Sequence, residues 1–218
     1  EREIMYLTAG DCLLAKVELF IEHYFMKYVS ADEAVKLVKS GDWVFFQGST
    51  AVPVIIQEAL ARRADELRGV NIVSGFNITK GPAPFCRPEY KESFFVNSLF
   101  LCADQREYVA QGYGSLIPGF LGELPSLIRR HEIPVDVACI NCSLPDENGY
   151  CSYNISADLA QPAVESAKIV IAQVNKSIPY LYGTAMIHES QFTAAVECDD
   201  PPVDMQFGPP TEIESAIG

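Results

Sequence analysis

The chain has 218 residues, 49% hydrophobic and 21% charged, which is typical of a soluble globular protein with one large domain or two small ones. Its net charge of −13 leaves no basic excess to attract phosphates, which argues against nucleic acid and anionic membrane surfaces as partners. The seven cysteines are irregularly spaced and no signal peptide is apparent, so we expect reduced thiols in a cytoplasmic protein.

The first 29 residues predict a helical extension ahead of the main domain. Apolar residues recur at helical spacing between positions 13 and 24, and the charged residues among them exclude a membrane span. A second helix is predicted to begin after Ser30, whose spacing to Glu33 fits a capping box, and to stop at Gly41.

Strands and helices then alternate along the chain. Strands are predicted at 43–47, 70–76, 94–101, 135–140 and 168–174, helices at 54–67, 104–111, 121–131 and 158–166, and short extended pieces at 186–190 and 194–197. Some of these strands are apolar throughout, as in parallel sheets that are covered on both faces. The sequence therefore predicts an α/β fold with a mainly parallel sheet flanked by helices.

Two connections in the first half attract attention. The segment 77–93 is long and rich in proline, and we interpret it as a flap near the mouth of a binding site, although a poorly ordered loop fits equally. The loop from Gly48 to Pro53 joins a strand to a helix and exposes backbone N–H groups at the helix start. It lacks both G-x-G-x-x-G and a P-loop lysine, so taken alone it favours a tight turn over a phosphate site.

The strongest turn signal follows the buried strand at 135–140. The segment Ser143–Ser152, SLPDENGYCS, combines a proline, an aspartate that can bond the backbone two residues on, and Asn148-Gly149, which tolerate positive φ. Open α/β sheets bind ligands at such strand ends, although the turn chemistry predicts a simple hairpin equally well. A similar polar turn, Asn175–Gly183, follows the strand at 168–174.

Other kinds of site find little support in the sequence. Cys139 and Cys142 are three residues apart on a strand and should point to opposite faces, which favours structural cysteines over a metal or redox pair. The three histidines are scattered and no G-x-S-x-G elbow is present, which argues against a serine hydrolase. We identify no metal ligands.

The segments 48–53, 118–125, 143–152 and 175–183, in this order and spacing, resemble the acetyl-CoA hydrolase/CoA-transferase family. The central one reads Ser143-x-Pro145-Asp146-x-x-Gly149-Tyr150-x-Ser152. The resemblance extends from about residue 30 to the end and implies a CoA-transferase-like fold. It implies that 30–210 form the amino-terminal one of two similar α/β halves, and that 211–218 begin a linking helix.

The resemblance also implies a reaction. Members of the family move CoA from an acyl-CoA to a free carboxylate through a glutamate of the second half, with backbone N–H groups holding the oxyanion. No glutamate here matches it, so we expect the nucleophile beyond Gly218, no turnover by this chain alone, and coenzyme A as substrate without a metal. The implied share of this half is to shape the acyl and carboxylate pocket with Gly48, Ser49, Asp146, Asn175 and Gly183.

Within this set, Ser49 and Asn175 are expected to offer hydrogen bonds to a carboxylate, whereas Asp146 and Gly183 are expected to fix turn geometry. Asn154 stands where the family usually has glycine, and asparagine tolerates the left-handed backbone that such a position needs.

Three functions stay open: a CoA-transferase, a hydrolase in which water intercepts the thioester, and a non-catalytic half or binding module. We also expect a homo-oligomer. Without the second half, the face that docks it should expose apolar surface, which promotes self-association. The first interpretation requires the turns 143–152 and 175–183 to lie side by side.

Overall fold

The computed structural model describes residues 28–204 and 208–217. The strands are β1 (Trp43–Phe46), β2 (Val70–Ser74), β3 (Phe94–Ser98), β4 (Gly114–Leu116), β5 (Val137–Cys142), β6 (Tyr150–Ser152), β7 (Ile169–Asn175), β8 (Met186–His188) and β9 (Ala194–Cys198). The helices are α1 (Ala31–Ala34), α2 (Val54–Arg62), α3 (Ala103–Ala110), α4 (Leu124–Arg129), α5 (Ala160–Ser166) and α6 (Glu212–Ile217). The predicted amino-terminal helix falls outside the described residues, apart from positions 28 and 29.

Seven of these strands form one sheet in the order β4-β3-β2-β1-β5-β7-β9. Every neighbouring pair is parallel, so the predicted parallel sheet is confirmed. The chain builds outwards from β1 to β4 on one side and then returns to add β5, β7 and β9 on the other. The carboxyl ends of β1 and β5 therefore meet at the topological switch point, where sheets of this kind leave a crevice.

Helices cover both faces of the sheet, and each face has its own apolar layer. Successive side chains of a strand point to opposite faces, so Phe46 packs in the layer that contains residues of α1, α2 and α3, and Phe45 packs in the layer of α4 and α5. Cys139 and Cys142 are divided in the same way, as their spacing predicted. Burial of each phenylalanine contributes about 2–3 kcal/mol.

Several helices are shorter than predicted. The capping side chain of Ser30 accepts a hydrogen bond from the Glu33 N–H at 3.1 Å, as expected, but α1 ends at Ala34 and continues as a 3-10 turn. Helix α2 ends at Arg62, and the Arg63 side chain donates to carbonyl oxygens of the turn that follows α1, including Val38 O at 3.0 Å. Proposed as a cap of α5, Asp158 instead accepts from the Ser156 hydroxyl at 2.9 Å.

Two loops also differ from their predictions. The turn 143–152 closes as a hairpin would, since the Ser143 N–H donates to Ser152 O at 3.0 Å, but β6 forms no ladder with β5 and pairs antiparallel with β8 in a separate two-stranded sheet. The segment 77–93 is not a free flap, because Phe85 in its middle is fully buried and stacks on Phe46 with ring centroids 5.6 Å apart. Within the described residues, no helix has the length and apolar character needed to cross a bilayer.

Candidate functional site

A cavity of about 600 Å³ opens at the carboxyl edge of the sheet, next to the switch point, and we call it the cleft. Loops that follow β1, β2, β3 and β4 form one side, and the segment 155–159 forms the other. Its lining comprises Gly48, Ser49, Gly75, Phe76, Leu99, Phe100, Gly119, Phe120, Leu121, Leu124, Ile155, Ser156, Asp158 and Leu159. Apolar side chains predominate, and Asp158 is the one ionisable group among these described residues.

The loop after β1 is pinned to the loop after β2. A Cβ added to Gly48 would lie 2.6 Å from the carbonyl oxygen of Phe76, so this close approach of two backbones requires glycine. Ser49 adopts a left-handed φ of 57°, donates its N–H to the same oxygen and accepts from the Ile78 N–H at 3.0 Å. Both residues therefore line the cleft from a fixed backbone.

The other wall of the cleft is fixed by the buried side chain of Gln47. Its Nε2 donates to the carbonyl oxygens of Tyr153 at 2.7 Å and Ser156 at 2.8 Å, and its Oε1 accepts from the Asn141 N–H at 2.7 Å. One side chain at the end of β1 thus bonds both to β5 and to the segment that carries Asp158. Gln47 is a positioning residue for the cleft.

Beside the cleft, Ser143–Ser152 and Asn175–Gly183 form a structure that we call the hydrogen-bonded corner. The Asp146 carboxylate accepts from the N–H groups of Asn148 and Tyr150, both at 2.9 Å, and from the Tyr180 hydroxyl at 3.1 Å. The bond from the Tyr150 N–H, with that from Asn148, holds the pKa of Asp146 below its usual value. The carboxylate thus organises the turn, as expected for this residue.

Ser152 joins the two halves of the corner. Its hydroxyl accepts from the Leu181 N–H at 3.2 Å, while its own N–H donates to the Ser143 hydroxyl at 2.9 Å. Next along the chain, Asn154 has a left-handed φ of 63°, as predicted for a position where glycine is usual. The two polar turns therefore lie side by side, as the sequence interpretation required.

The remaining predicted residues also belong to the corner. Asn175 is buried, with its Nδ2 donating to Asp200 O at 2.8 Å and its Oδ1 accepting from the Ser177 N–H at 2.9 Å. Gly183 is exposed and has a φ of 125°. Of the five predicted residues, Gly48 and Ser49 line the cleft, whereas Asp146, Asn175 and Gly183 do not.

Sequence reasoning missed Gln47, Asp158 and the aromatic rim of the cleft. A glutamine that ends an apolar strand is a signal that was available, because a buried amide needs specific partners. The segment 118–125 contributed to the family resemblance, but nothing in its pattern singled out Phe120. Asp158 carried a helix-cap signal, which pointed to a local role.

A more polar groove adjoins the cleft and shares Phe76 and Phe100 with it. Lys80 and Arg106 line this groove, and buried Asp104 accepts from the Asn77 side-chain amide at 2.9 Å. Burial raises the pKa of the Asp104 carboxyl. Across 28–204 and 208–217, no group of three or more His, Cys, Asp or Glu side chains is placed to hold a metal ion.

Comparisons with known proteins agree on one family. The model of the acetyl-CoA hydrolase/transferase N-terminal domain matches residues 15–205. A 4-hydroxybutyrate coenzyme A transferase of Clostridium kluyveri is 36% identical over 197 residues, which is 90% of this chain and 46% of that protein. The chain thus spans a little under half the length of the relatives that it matches.

Solved structures show the same fold. RipA from Yersinia pestis superposes with a TM-score of 0.79 at 24% identity, covering 90% of this chain and 47% of that one. A 4-hydroxybutyrate CoA-transferase from Porphyromonas gingivalis superposes with a TM-score of 0.68 at 31% identity, covering 88% of this chain and 43% of that one. The chain therefore belongs to the acetyl-CoA hydrolase/transferase family, of which it carries the amino-terminal domain.

Proposed function

We propose that this chain is the amino-terminal half of an acyl-CoA:carboxylate CoA-transferase, and that the cleft holds the acyl group. One observation carries the proposal: the cleft is an apolar cavity beside the switch point of a parallel sheet, and Gly48 is among the residues that line it. The proteins from Clostridium kluyveri and Porphyromonas gingivalis named above are CoA-transferases by name, and they support the reaction class.

A glutamate supplied by the second half is proposed as the nucleophile. None of the glutamates in the described residues lines the cleft, so the described part of the chain offers no such carboxylate there. In the proposed cycle, the glutamate attacks the thioester carbonyl, CoA leaves as a thiolate, and an anhydride forms. The thiolate then attacks the glutamyl carbonyl, which releases the first carboxylate and leaves a glutamyl-CoA thioester.

The acceptor carboxylate then attacks this thioester, which expels CoA as a thiolate and forms a second anhydride. The thiolate attacks the acceptor's carbonyl in that anhydride, which gives the new acyl-CoA and releases the free glutamate. Ser49 lines the cleft and is a candidate donor to the reacting oxygens. The sequence predicts Asn175 as a second donor, but its side-chain NH2 and carbonyl groups both form hydrogen bonds within the protein. We therefore assign Asn175, with Asp146 and Gly183, to holding the shape of the corner.

Coenzyme A is polyanionic, whereas the chain has a net charge of −13. The polar groove next to the cleft offers local compensation, because Lys80 and Arg106 line it. We propose that the anionic part of an acyl-CoA passes near these two side chains, with the second half supplying most of the remaining contacts. No bound metal is invoked in this scheme.

Borohydride trapping tests the division of labour. The 218-residue chain and the full-length polypeptide that contains it are each incubated with acetyl-CoA and then borohydride, which reduces an enzyme thioester, and modified glutamates are mapped by mass spectrometry. We expect a label in the full-length protein, at a glutamate outside this sequence, and none in the chain alone. A stoichiometric label on any glutamate of this chain would contradict the proposal.

Dependence of CoA release on an acceptor separates transferase from hydrolase. The full-length protein is incubated with butanoyl-CoA, with and without acetate. With acetate, we expect acetyl-CoA and butanoate to form with little free CoA thiol, and without acetate we expect little release of CoA. Free thiol released at the same rate with and without acetate would favour the hydrolase. The same preparation gives the assembly state, for which we propose a homo-oligomer.

Residues 30–210 are proposed as the folded half and 211–218 as the start of its link to the second half. Helix α6 is exposed along its described length, and Ile213 is 74% exposed, as expected for a helix that packs against something outside this half. The 218-residue chain alone is accordingly expected to self-associate, and a monodisperse monomer in light scattering would count against this.

A further inference from the structure

A second cavity, of about 480 Å³, adjoins the polar groove, and we call it the side cavity. It is bounded by one face of helix α2, by the segment 79–84 and by the segment 200–203, and the residues 79–82 line the groove as well. The side cavity has no lining residue in common with the cleft. Its volume is in the usual range for small-molecule sites, so it has room for a ligand of its own.

Helix α2 contributes a buried amide to the wall of the side cavity. Gln57 lines the cavity and is 1% exposed, and neither its Nε2 nor its Oε1 has a hydrogen-bond partner among the described residues. Native structures rarely retain a buried amide without partners, because the unpaired donor and acceptor are costly in free energy. The last torsion of a glutamine side chain is soft, so the amide can turn to meet a ligand. A ligand in the side cavity would supply the missing partners.

The chemistry of an amide limits what that ligand can be. Gln57 offers an N–H donor beside a carbonyl acceptor, so its partner must carry an acceptor beside a donor, as adenine does at N7 and its 6-amino group. Much of the remaining wall is apolar, including Val54, Pro84 and Pro201, which suits the faces of a flat ring. The side cavity therefore fits a nucleobase.

Three charged side chains complete the lining, and all three are exposed: Lys80, Glu58 and Asp200. Lysine binds phosphate as a point charge, and a carboxylate near a bound nucleotide typically accepts hydrogen bonds from ribose hydroxyls. Two carboxylates outnumber the one ammonium group, so a chain of several phosphates would be repelled. This combination matches a nucleoside with a single phosphate.

The wall that carries Asp200 is held in place by the hydrogen-bonded corner. The Asn175 side chain donates to Asp200 O at 2.8 Å, and the Ser177 hydroxyl donates to Asp199 O at 3.0 Å. Lys176 also forms an ion pair with the Asp199 carboxylate at 2.6 Å. This side of the cavity is therefore formed before any ligand binds.

We propose that the side cavity binds the adenosine monophosphate part of an adenine nucleotide. Gln57 pairs with the base edge, the carboxylates of Glu58 and Asp200 accept from ribose hydroxyls, and Lys80 contacts the phosphate. The inference does not depend on the function proposed for the cleft, because the two cavities share no residue. A free adenine nucleotide and the adenosine end of coenzyme A both carry this chemistry.

Two nucleosides that differ by one group test the contact with the base. Binding of adenosine and of purine riboside, which lacks the 6-amino group, to the full-length polypeptide that contains this chain is measured by isothermal titration calorimetry. We expect adenosine to bind about tenfold more tightly, because purine riboside gives no donor to the carbonyl of Gln57. AMP should bind more tightly than adenosine, and ATP less tightly than AMP.

Two variants test the residues. Gln57→Leu should weaken binding of adenosine about tenfold and abolish its preference over purine riboside. Lys80→Gln should weaken binding of AMP about threefold and leave binding of adenosine unchanged. The matched control is Lys39→Gln, because Lys39 is exposed and precedes β1, which places it towards the opposite edge of the sheet. This control should bind both ligands as the wild type does.

Desulfo-CoA, which cannot take part in acyl transfer, separates the two sources of adenosine. If it displaces AMP and Gln57→Leu weakens binding of both, the site holds the adenosine end of coenzyme A. If AMP binds equally well at saturating desulfo-CoA, the site takes a free nucleotide. Both results support the proposal.

Three results would overturn it: no binding of adenosine or AMP, equal binding of adenosine and purine riboside by the wild type, or wild-type affinity in Gln57→Leu. Each would point to buried water as the partner of the Gln57 amide. If Gln57→Leu does not fold, the two nucleosides on the wild type and AMP on Lys80→Gln decide in its place. CoA transfer at the cleft can persist in every case, so the proposed function is tested separately.

Discussion

The cleft and the hydrogen-bonded corner lie at the same edge of the sheet and differ in what they leave unpaired. In the corner, the polar side chains of Asp146, Ser152 and Asn175 are bonded to the protein itself. In the cleft, exposed aromatic side chains such as Phe120 have no comparable cover among the described residues. The polar residues that suggest a binding site in the sequence therefore stabilise the corner, whereas the apolar residues of the cleft are the ones exposed to a ligand.

This contrast follows from the energetics of polar groups. A buried polar turn is stable only when nearly all its donors and acceptors are paired, so the side chains that pair them are specified closely. An apolar cavity needs only shape and a lack of competing charge. The distinction can be tested by substitutions that should act on stability in one region and on ligand binding in the other.

The largest effect on stability is expected for Gln47→Leu, at the support between the two regions. Leucine would leave the carbonyl oxygens of Tyr153 and Ser156 and the Asn141 N–H buried without their partner. At about 1–3 kcal/mol for each stranded group, we expect the free energy of unfolding to fall by about 4 kcal/mol. Urea denaturation followed by circular dichroism measures this change.

Gln57→Leu is the matched control for that experiment. Gln57 is also buried, but neither of its side-chain polar atoms has a hydrogen-bond partner among the described residues. Its replacement should change the free energy of unfolding by less than about 1 kcal/mol, or stabilise the protein, because an unpaired amide is removed. Equal losses in the two variants would refute the supporting role of Gln47.

A smaller effect, with a defined pH dependence, is expected for Asp146→Ala in the corner. The pKa of Asp146 is lowered in the folded protein by the hydrogen bonds that the carboxylate accepts, first from the Tyr150 N–H. The stabilisation is therefore present above the unfolded pKa of about 3.9 and is lost as the pH falls through the folded pKa. The wild type should have the higher Tm at pH 7, and the gap should close in acid.

Glu147→Ala controls for the loss of a charge in the same turn. Glu147 is exposed, in contrast to its neighbour, whose carboxylate accepts three hydrogen bonds. The Tm of Glu147→Ala should stay near that of the wild type at each pH between 3 and 7. Substitution of an exposed side chain usually changes the free energy of unfolding by no more than about 0.5 kcal/mol. A difference between wild type and Asp146→Ala that did not vary with pH would show that the carboxylate charge is not involved.

The smallest effect on stability is expected for Phe120→Ala in the cleft. With 79% of Phe120 exposed, the free energy of unfolding should change by no more than about 0.5 kcal/mol. Binding of hexanoate should nevertheless weaken, because part of the apolar rim is lost. By comparison, Phe85→Ala removes a fully buried ring and should cost about 4 kcal/mol. A large loss of stability in Phe120→Ala would mean that this ring is structural.

Much of the fold was readable from the sequence alone. Apolar strands that alternate with helical segments indicate a parallel sheet with two covered faces, because the helices between consecutive strands pack on both faces of such a sheet. The left-handed backbone at Asn154 and the opposite faces of Cys139 and Cys142 were also predicted, since both depend on local geometry. The role of Asp146 in the turn was predictable for the same reason, because its carboxylate accepts from N–H groups only two and four residues further along the chain.

The partners of β6 and the location of the cleft were decided only by tertiary structure. β6 pairs with β8, more than 30 residues away along the chain, and Gln47 bonds to residues that follow it by 94 to 109 positions. The lining of the cleft comes from five separate loops, whose approach depends on the order of the strands. Local pattern specifies each loop's conformation, but packing of the whole sheet decides which loops meet.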